Sequence, residues 1–168
     1  MLVLVLGKRI CLRPIGFVKT DAVGDEVKDK TRLSKVVVDS SLEPALEGIE
    51  DFSHLYVLFW LDRITRVQRK TRRVHPRGRI DLPLVGVFAA RTNLRPNPIG
   101  LTLVELVSVE NNVLTVRGLD AFDGTPVLDL KTHDMWDTAK NARVPQWWTK
   151  LGKEKRAQNR VAISQRRL

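Results

Sequence analysis

The chain has 168 residues, 43% of them hydrophobic and 29% charged, and a formal net charge of +10. A chain of that length buries a real core in one domain without covalent staples. The single cysteine, Cys11, excludes an internal disulfide and any multi-cysteine metal centre.

His54, His75 and His133 are too scattered for metal-ligand spacing. The opening MLVLVLGKRI has an apolar run too short for a secretory leader, with its charges after the run. No segment approaches membrane-spanning length, so a cytoplasmic protein is expected. In chain order, residues 9–20 (RICLRPIGFVKT) read as a strand broken at Pro14-Ile15-Gly16. The charged stretch 21–34, which contains Gly24, reads as a flexible loop. A short β-branched strand follows at 35–39, and turn formers at 42–52 leave room for one helical turn. Residues 54–61 (HLYVLFWL) are the most hydrophobic run and read as a buried strand.

Further strands fall at 85–90, 99–109 and 113–119, the last two joined by a hairpin turn at Glu110-Asn111-Asn112. A tight loop at 120–126 leads to a closing strand at 127–132. Short, evenly spaced strands without long amphipathic helices between them predict a mainly β fold, a small closed or nearly closed β-barrel. Helical character is confined to the region after Val144. The expected division is therefore a barrel domain at 1–140 and a basic, partly helical C-terminal extension at 141–168.

The positive charge is concentrated. Residues 63–79 hold eight Lys/Arg and no acid, and residues 150–168 hold seven with one acid. These patches carry +14 between them, leaving −4 on the remainder. Such a distribution fits a polyanionic partner, nucleic acid first among them. The plainer reading is a solvated basic loop and a frayed tail.

A second feature is the bend Arg91-Thr92-Asn93-Leu94-Arg95-Pro96-Asn97-Pro98-Ile99-Gly100. Pro96 and Pro98 fix their own torsions and donate no amide, so Arg91, Arg95 and Asn97 must supply the polar contacts. Gly100 allows a ligand or another backbone to come close. Alone, the bend is a proline-rich connection with solvated arginines. Its acidic counterpart is the turn containing Asp120 and Asp123, where Asp123-Gly124 by itself is an ordinary turn signal. Ser53 and His54 are candidates to line the same site. No Gly-rich phosphate loop and no nucleophile elbow occurs.

Four ordered blocks carry a resemblance: GIEDFSHL at 48–55, GVFAART at 86–92, RPNPIGLTLVEL at 95–106 and LDAFDGTPVLDLK at 119–131. With them the chain resembles the TsaA-like (TrmO-type) family over about residues 9–133. Its better-known members are S-adenosylmethionine-dependent tRNA methyltransferases. The resemblance implies a β-barrel methyltransferase acting as a homodimer, with S-adenosylmethionine near the subunit interface, no metal and no membrane partner. The implied reaction moves a methyl group to the exocyclic nitrogen of threonylcarbamoyladenosine in the tRNA anticodon loop. Matching positions put cofactor contacts on Asp62, Arg63, Arg91, Leu101, Arg117, Gly118, Leu119 and Asp120.

Within that reading Arg91 pairs with the cofactor carboxylate, Asp120 takes its ribose hydroxyls or ammonium, and Leu101 covers the adenine. Asp120 or Asp123 is the candidate for proton removal, beside pure positioning. Arg69, Lys70, Arg72, Arg73, Arg95 and Asn97 are the expected contacts to the anticodon stem-loop. Trp147-Trp148 either stacks bases or packs against protein. Two other readings stay open: a non-catalytic RNA-binding β-barrel, and a methyltransferase of this fold with a non-tRNA substrate.

Overall fold

A computed structural model describes residues 10–152 and residue 154. Most of the basic tail expected beyond residue 150, and most of the opening apolar run, lie outside the described residues. The described residues form eight strands: β1 (Gly16–Lys19), β2 (Leu33–Val38), β3 (His54–Trp60), β4 (Arg73–Val74), β5 (Val85–Gly86), β6 (Ile99–Glu110), β7 (Val113–Arg117) and β8 (Pro126–Thr132). The chain forms two compact units, one of residues up to 70 with 93–135, the other of 71–92 with 136 onward.

The first unit is a closed barrel in the order β1-β2-β7-β6-β3-β8, every neighbouring pair antiparallel. Period-2 alternation turns one set of side chains inward. Val18, Val36, Leu55, Val57, Val104, Leu114, Val116 and Val127 are all at most 1% exposed. Six strands enclose a narrow lumen, and these side chains fill it. A ligand must therefore bind at a rim or on the outer face. The β6–β7 hairpin turns at Asn111 with φ 54°, and the Asn112 side chain donates to the Val38 carbonyl at 2.6 Å.

Several expectations change. The strand expected at 9–20 shrinks to Gly16–Lys19. There β1 lies so close to β2 that a Cβ on Gly16 would stand 2.2 Å from the Val37 carbonyl oxygen. The stretch 21–34 is ordered rather than loose: a 3-10 helix (Gly24–Lys28) buries Val27, and Arg32 pairs with Asp21 at 2.6 Å and Glu26 at 3.4 Å. Residues 42–52 hold two 3-10 helices, Ser40–Leu46 and Ile49–Asp51. β3 is buried on one face only, with His54, Tyr56, Leu58 and Trp60 half-exposed on the other. Between β3 and β8 the register shifts at Leu58/Phe59.

In the second unit, the strand expected at 85–90 is reduced to Val85–Gly86, paired with Arg73–Val74, and a 3-10 turn (Val87–Ala89) follows. His75 Nδ1 lies 2.7 Å from the Leu82 carbonyl. Residues 146–152 are helical, and Trp147 meets Trp148 edge-on at 5.7 Å between ring centroids. Arg79 binds Asp81 at 2.6 and 3.0 Å and also Glu154. Those hydrogen bonds hold the Asp81 carboxyl down at about 2 and lower that of Glu154. No described helix is long and apolar enough to cross a membrane, and no described group of three or more His, Cys, Asp or Glu could hold a metal ion.

Candidate functional site

One rim of the barrel collects the ends of β1, β3 and β7 and the starts of β2, β6 and β8. The proline bend reaches it directly, because the Leu61 amide donates to the Pro98 carbonyl at 2.8 Å and Pro98 is fully buried. Asp62 and Arg63 thus sit where RPNP enters β6. Arg63 lies over the Phe122 ring, 3.7 Å from its centroid, so its guanidinium plane is fixed by a cation–π contact.

Asp120 follows β7 and turns back to β6, where the buried Thr102 hydroxyl donates to its Oδ1. Lys30, from the stretch before β2, stands 3.3 Å from Asp120 Oδ2 and donates to the Gly118 carbonyl at 2.9 Å. A carboxylate held from two sides by residues of separate segments, with an arginine pinned nearby on the same rim, forms a charged and preorganised edge. Gly118 has φ 86°, which favours glycine. Gly118 and Leu119 are buried, so they offer a ligand chiefly backbone groups. Arg117 pairs with Glu105 at 3.6 Å.

Asp123 plays a visible structural part. Its Oδ1 accepts the Thr20 amide at 3.0 Å, tying the end of β1 to the turn at Gly124. Leu101 points out of the barrel, 53% exposed, opposite Leu58, and Leu103 is 43% exposed opposite Tyr56. Arg95 and Asn97 belong to the bend at this rim, the Asn97 carbonyl accepting the Ile99 amide at 2.8 Å. Arg69 and Lys70 stay with the barrel unit, whereas Arg72, Arg73 and Arg91 belong to the second unit. Ser53 and His54 do not join the Asp120 rim. They lie at the far end of β3, about 20 Å away along the strand, with Ser53 Oγ 2.9 Å from His54 Nδ1.

Lys30, Trp60, Thr102 and Phe122 reach this rim without having been singled out in the sequence. Only the pairing register could have found Thr102, and Lys30 lies in a stretch with no local signal. A cavity of about 590 Å³ opens at the opposite rim, lined by Glu43, Glu47 and Glu50 among others. Its lining includes carboxylates and no cation, which suits a polyanion poorly.

A filled antiparallel barrel with charged groups of both signs on one rim is a class apart from doubly wound nucleotide-binding sheets. Residues 24–136 match the family model described as the tRNA-methyltransferase O N-terminal domain. The chain belongs to that family. A protein of Methanothermobacter thermautotrophicus described as a probable S-adenosyl-L-methionine-binding protein is 40% identical over 129 residues, covering 74% of this chain and 90% of its own. The mouse tRNA (adenine(37)-N6)-methyltransferase is 39% identical over 103 residues, 61% of this chain but 23% of that protein. The crystal structure of TrmO from Pseudomonas aeruginosa superposes with a TM-score of 0.63 at 27% identity, covering 81% of this chain and 62% of that one. The present chain thus spans less than two thirds of that TrmO chain and about a quarter of the mouse enzyme.

Proposed function

We propose that the chain is an S-adenosylmethionine-dependent tRNA methyltransferase, acting in the cytoplasm on the exocyclic nitrogen of threonylcarbamoyladenosine in the anticodon loop. The observation that carries the reading is Asp120, fixed by Thr102 and Lys30 on the rim that also holds Arg63 and the RPNP bend. The donor set suits the cofactor: a held carboxylate for ribose hydroxyls or an ammonium, and cations for a carboxylate.

When bound, S-adenosylmethionine supplies a methyl group on a sulfonium, and the target nitrogen takes the methyl and gives up its proton. Asp120 orients the cofactor through hydrogen bonds, while Arg63 offers its guanidinium group to the cofactor carboxylate. Gly118 and Leu119 offer backbone groups. Thr102 and Lys30 engage both oxygens of Asp120, whereas the Thr20 amide engages only Oδ1 of Asp123, so Asp123 is the better placed of the two to receive a proton. Much of the acceleration is then positioning on a rigid rim.

The outer face supports a homodimer. Ile99, Leu101 and Leu103 are 37%, 53% and 43% exposed in a row on β6, beside Leu58 and Tyr56 of β3. An apolar row of this kind on a sheet is suited to cover by a second copy, which would bring Leu101 near a cofactor shared at the interface.

The test is incubation with labelled S-adenosylmethionine and tRNA that carries threonylcarbamoyladenosine, followed by nucleoside mass spectrometry. Gain of one methyl on that nucleoside supports the proposal. Salt-sensitive tRNA binding without transfer returns the chain to a non-catalytic RNA-binding barrel.

A further inference from the structure

We propose that the outer face of β1 and β2, apart from the two basic segments of the sequence, binds single-stranded RNA, with Phe17 stacking one base and Lys19 and Lys35 holding the phosphates beside it. The inference rests on RNA being the substrate of the adjoining rim, and it assigns a surface that leads the strand to that rim.

The pairing register builds this face. In β1, Val18 is fully buried, so Phe17 and Lys19 on either side of it turn out of the barrel. In β2, Ser34, Val36 and Val38 are buried, which turns Leu33, Lys35 and Val37 outward. Phe17 lies opposite Val37, and Lys19 lies opposite Lys35. Lys35 in turn faces Thr115 of β7, and Leu33 faces Arg117. The sequences of β1, β2 and β7 contain no acid.

The Lys19–Lys35 pair is the informative feature. Side chains directly opposite on neighbouring strands have Cβ atoms about 5 Å apart, and like charges there repel and cost stability. Both lysines are exposed, and neither forms an ion pair among the described residues. The nearest carboxylates along the chain have other work. Asp39, after β2, accepts from the Ser41 amide at 2.9 Å and the Ser41 hydroxyl at 2.7 Å. Asp123 accepts the Thr20 amide at 3.0 Å through Oδ1. Folding alone therefore gives no reason to oppose two lysines here, whereas a phosphate set between them turns the repulsion into attraction.

Phe17 supplies the second half of the match. It is 46% exposed on the same face, two positions from Lys19, and Leu33 at 49% adds apolar surface near Lys35. An exposed ring flanked by cations is the arrangement on which a single strand lies, with a base on the ring and phosphates on the charges. Duplex RNA keeps its bases stacked and offers none to such a ring, so the face selects unpaired nucleotides. Lys19 ends β1 and Leu33 starts β2, so the face runs to the rim that holds Lys30 and Asp120.

The experiment compares equilibrium binding of a short oligouridylate with that of an abasic ribose-phosphate chain of the same length. Wild-type protein is expected to prefer the base-bearing chain by about 5-fold or more. Phe17→Leu should bring the ratio towards one with the salt slope unchanged, while Phe17→Tyr keeps a ring and should retain the ratio. Lys19→Gln and Lys35→Gln should each weaken both chains and lower the salt slope by about 0.7. At low salt each lysine variant should also melt above the wild type, a gain that added salt erases, so weaker binding cannot come from lost folding. Lysine variants that bind like wild type, or a wild-type ratio in Phe17→Leu, overturn the assignment. Equal binding of both chains by the wild type marks a general polyanion surface and overturns it too. Methyl transfer by wild-type protein is measured in parallel. Transfer without base preference overturns the binding face alone, and base preference lost in Phe17→Leu without any transfer overturns the enzyme reading alone.

Discussion

Lys30 Nζ stands 3.3 Å from Asp120 Oδ2 while donating to the Gly118 carbonyl at 2.9 Å, so one ammonium joins the segment before β2 to the chain leaving β7. The two side chains are 52% and 41% exposed, and solvent screening leaves such a pair little weight in stability. Its consequence is positional. Together with the Thr102 hydroxyl it fixes where the Asp120 carboxylate points.

Lys30→Met is therefore expected to lower stability by less than about 1 kcal/mol. It should weaken S-adenosylmethionine binding by about ten-fold, the equivalent of 1.4 kcal/mol. Thr102→Val should act in the same direction, because it removes the donor and keeps the volume. Denaturant melts and a cofactor titration on the same samples separate the two effects. Large destabilisation with unchanged affinity would make both residues structural.

Gly100 is covered by Phe59. The two are direct partners across β3 and β6, and a Cβ on Gly100 would lie 2.3 Å from Phe59 Cε2. Gly100→Ala should cost about 1–3 kcal/mol by overpacking. Phe59→Leu in the same chain should recover part of that loss, so the double mutant falls short of additivity. Additive losses in thermal melts would mean that the ring is not what occupies the space.

The row Ile99, Leu101 and Leu103 leads to a prediction about assembly. Leu103→Arg places a charge at one end of the row and should shift the protein from dimer to monomer in light scattering. The fold stays intact, because the residue is 43% exposed. Methyl transfer should fall with the dimer fraction. A monomeric wild-type protein with full activity would remove the second copy from the account.

What the sequence made legible follows physical range. Strands β2, β6, β7 and β8 were readable from β-branched alternation and from the turn at Asn111 and Asn112, which are local signals. Two expectations depended on distant partners and changed. Residues 54–61 are apolar at nearly every position, which reads as burial on both faces, yet Tyr56, Leu58 and Trp60 are half-exposed. Residues 85–90 read as a strand and mostly form a turn, because only Arg73 and Val74 pair with them. Gly100 was legible as a site of close approach, but only the register names Phe59 as the neighbour. Lys30 meets Gly118 across 88 positions of chain, a distance no local pattern reaches. At the rim, Asp120 lies inside one of the ordered family blocks while Asp62 and Arg63 lie outside all four, and Ser53 and His54, inside the first block, belong to the other end of β3.

The second unit gives a pH prediction. Arg79 hydrogen bonds hold Asp81 at about 2, below the unfolded carboxylate value of about 3.9. A carboxylate with a depressed folded value stabilises above the unfolded value and loses that contribution as pH falls through the folded one. The link to Arg79 should therefore persist through neutral pH and weaken only between about pH 4 and 2. Carbon-detected NMR of the Asp81 carboxyl should titrate near 2 in wild type and near the ordinary range in Arg79→Gln. An ordinary midpoint in the wild type would break the link.

The measurement that bears most directly on the rim is calorimetric titration of S-adenosylmethionine into wild type, Asp120→Asn and, from the opposite rim, Glu47→Gln. The account predicts saturable binding by wild type and Glu47→Gln, with affinity reduced about 10- to 100-fold in Asp120→Asn, as expected for a lost charge-assisted hydrogen bond. Absence of binding by wild type, or equal affinity in Asp120→Asn, would contradict it.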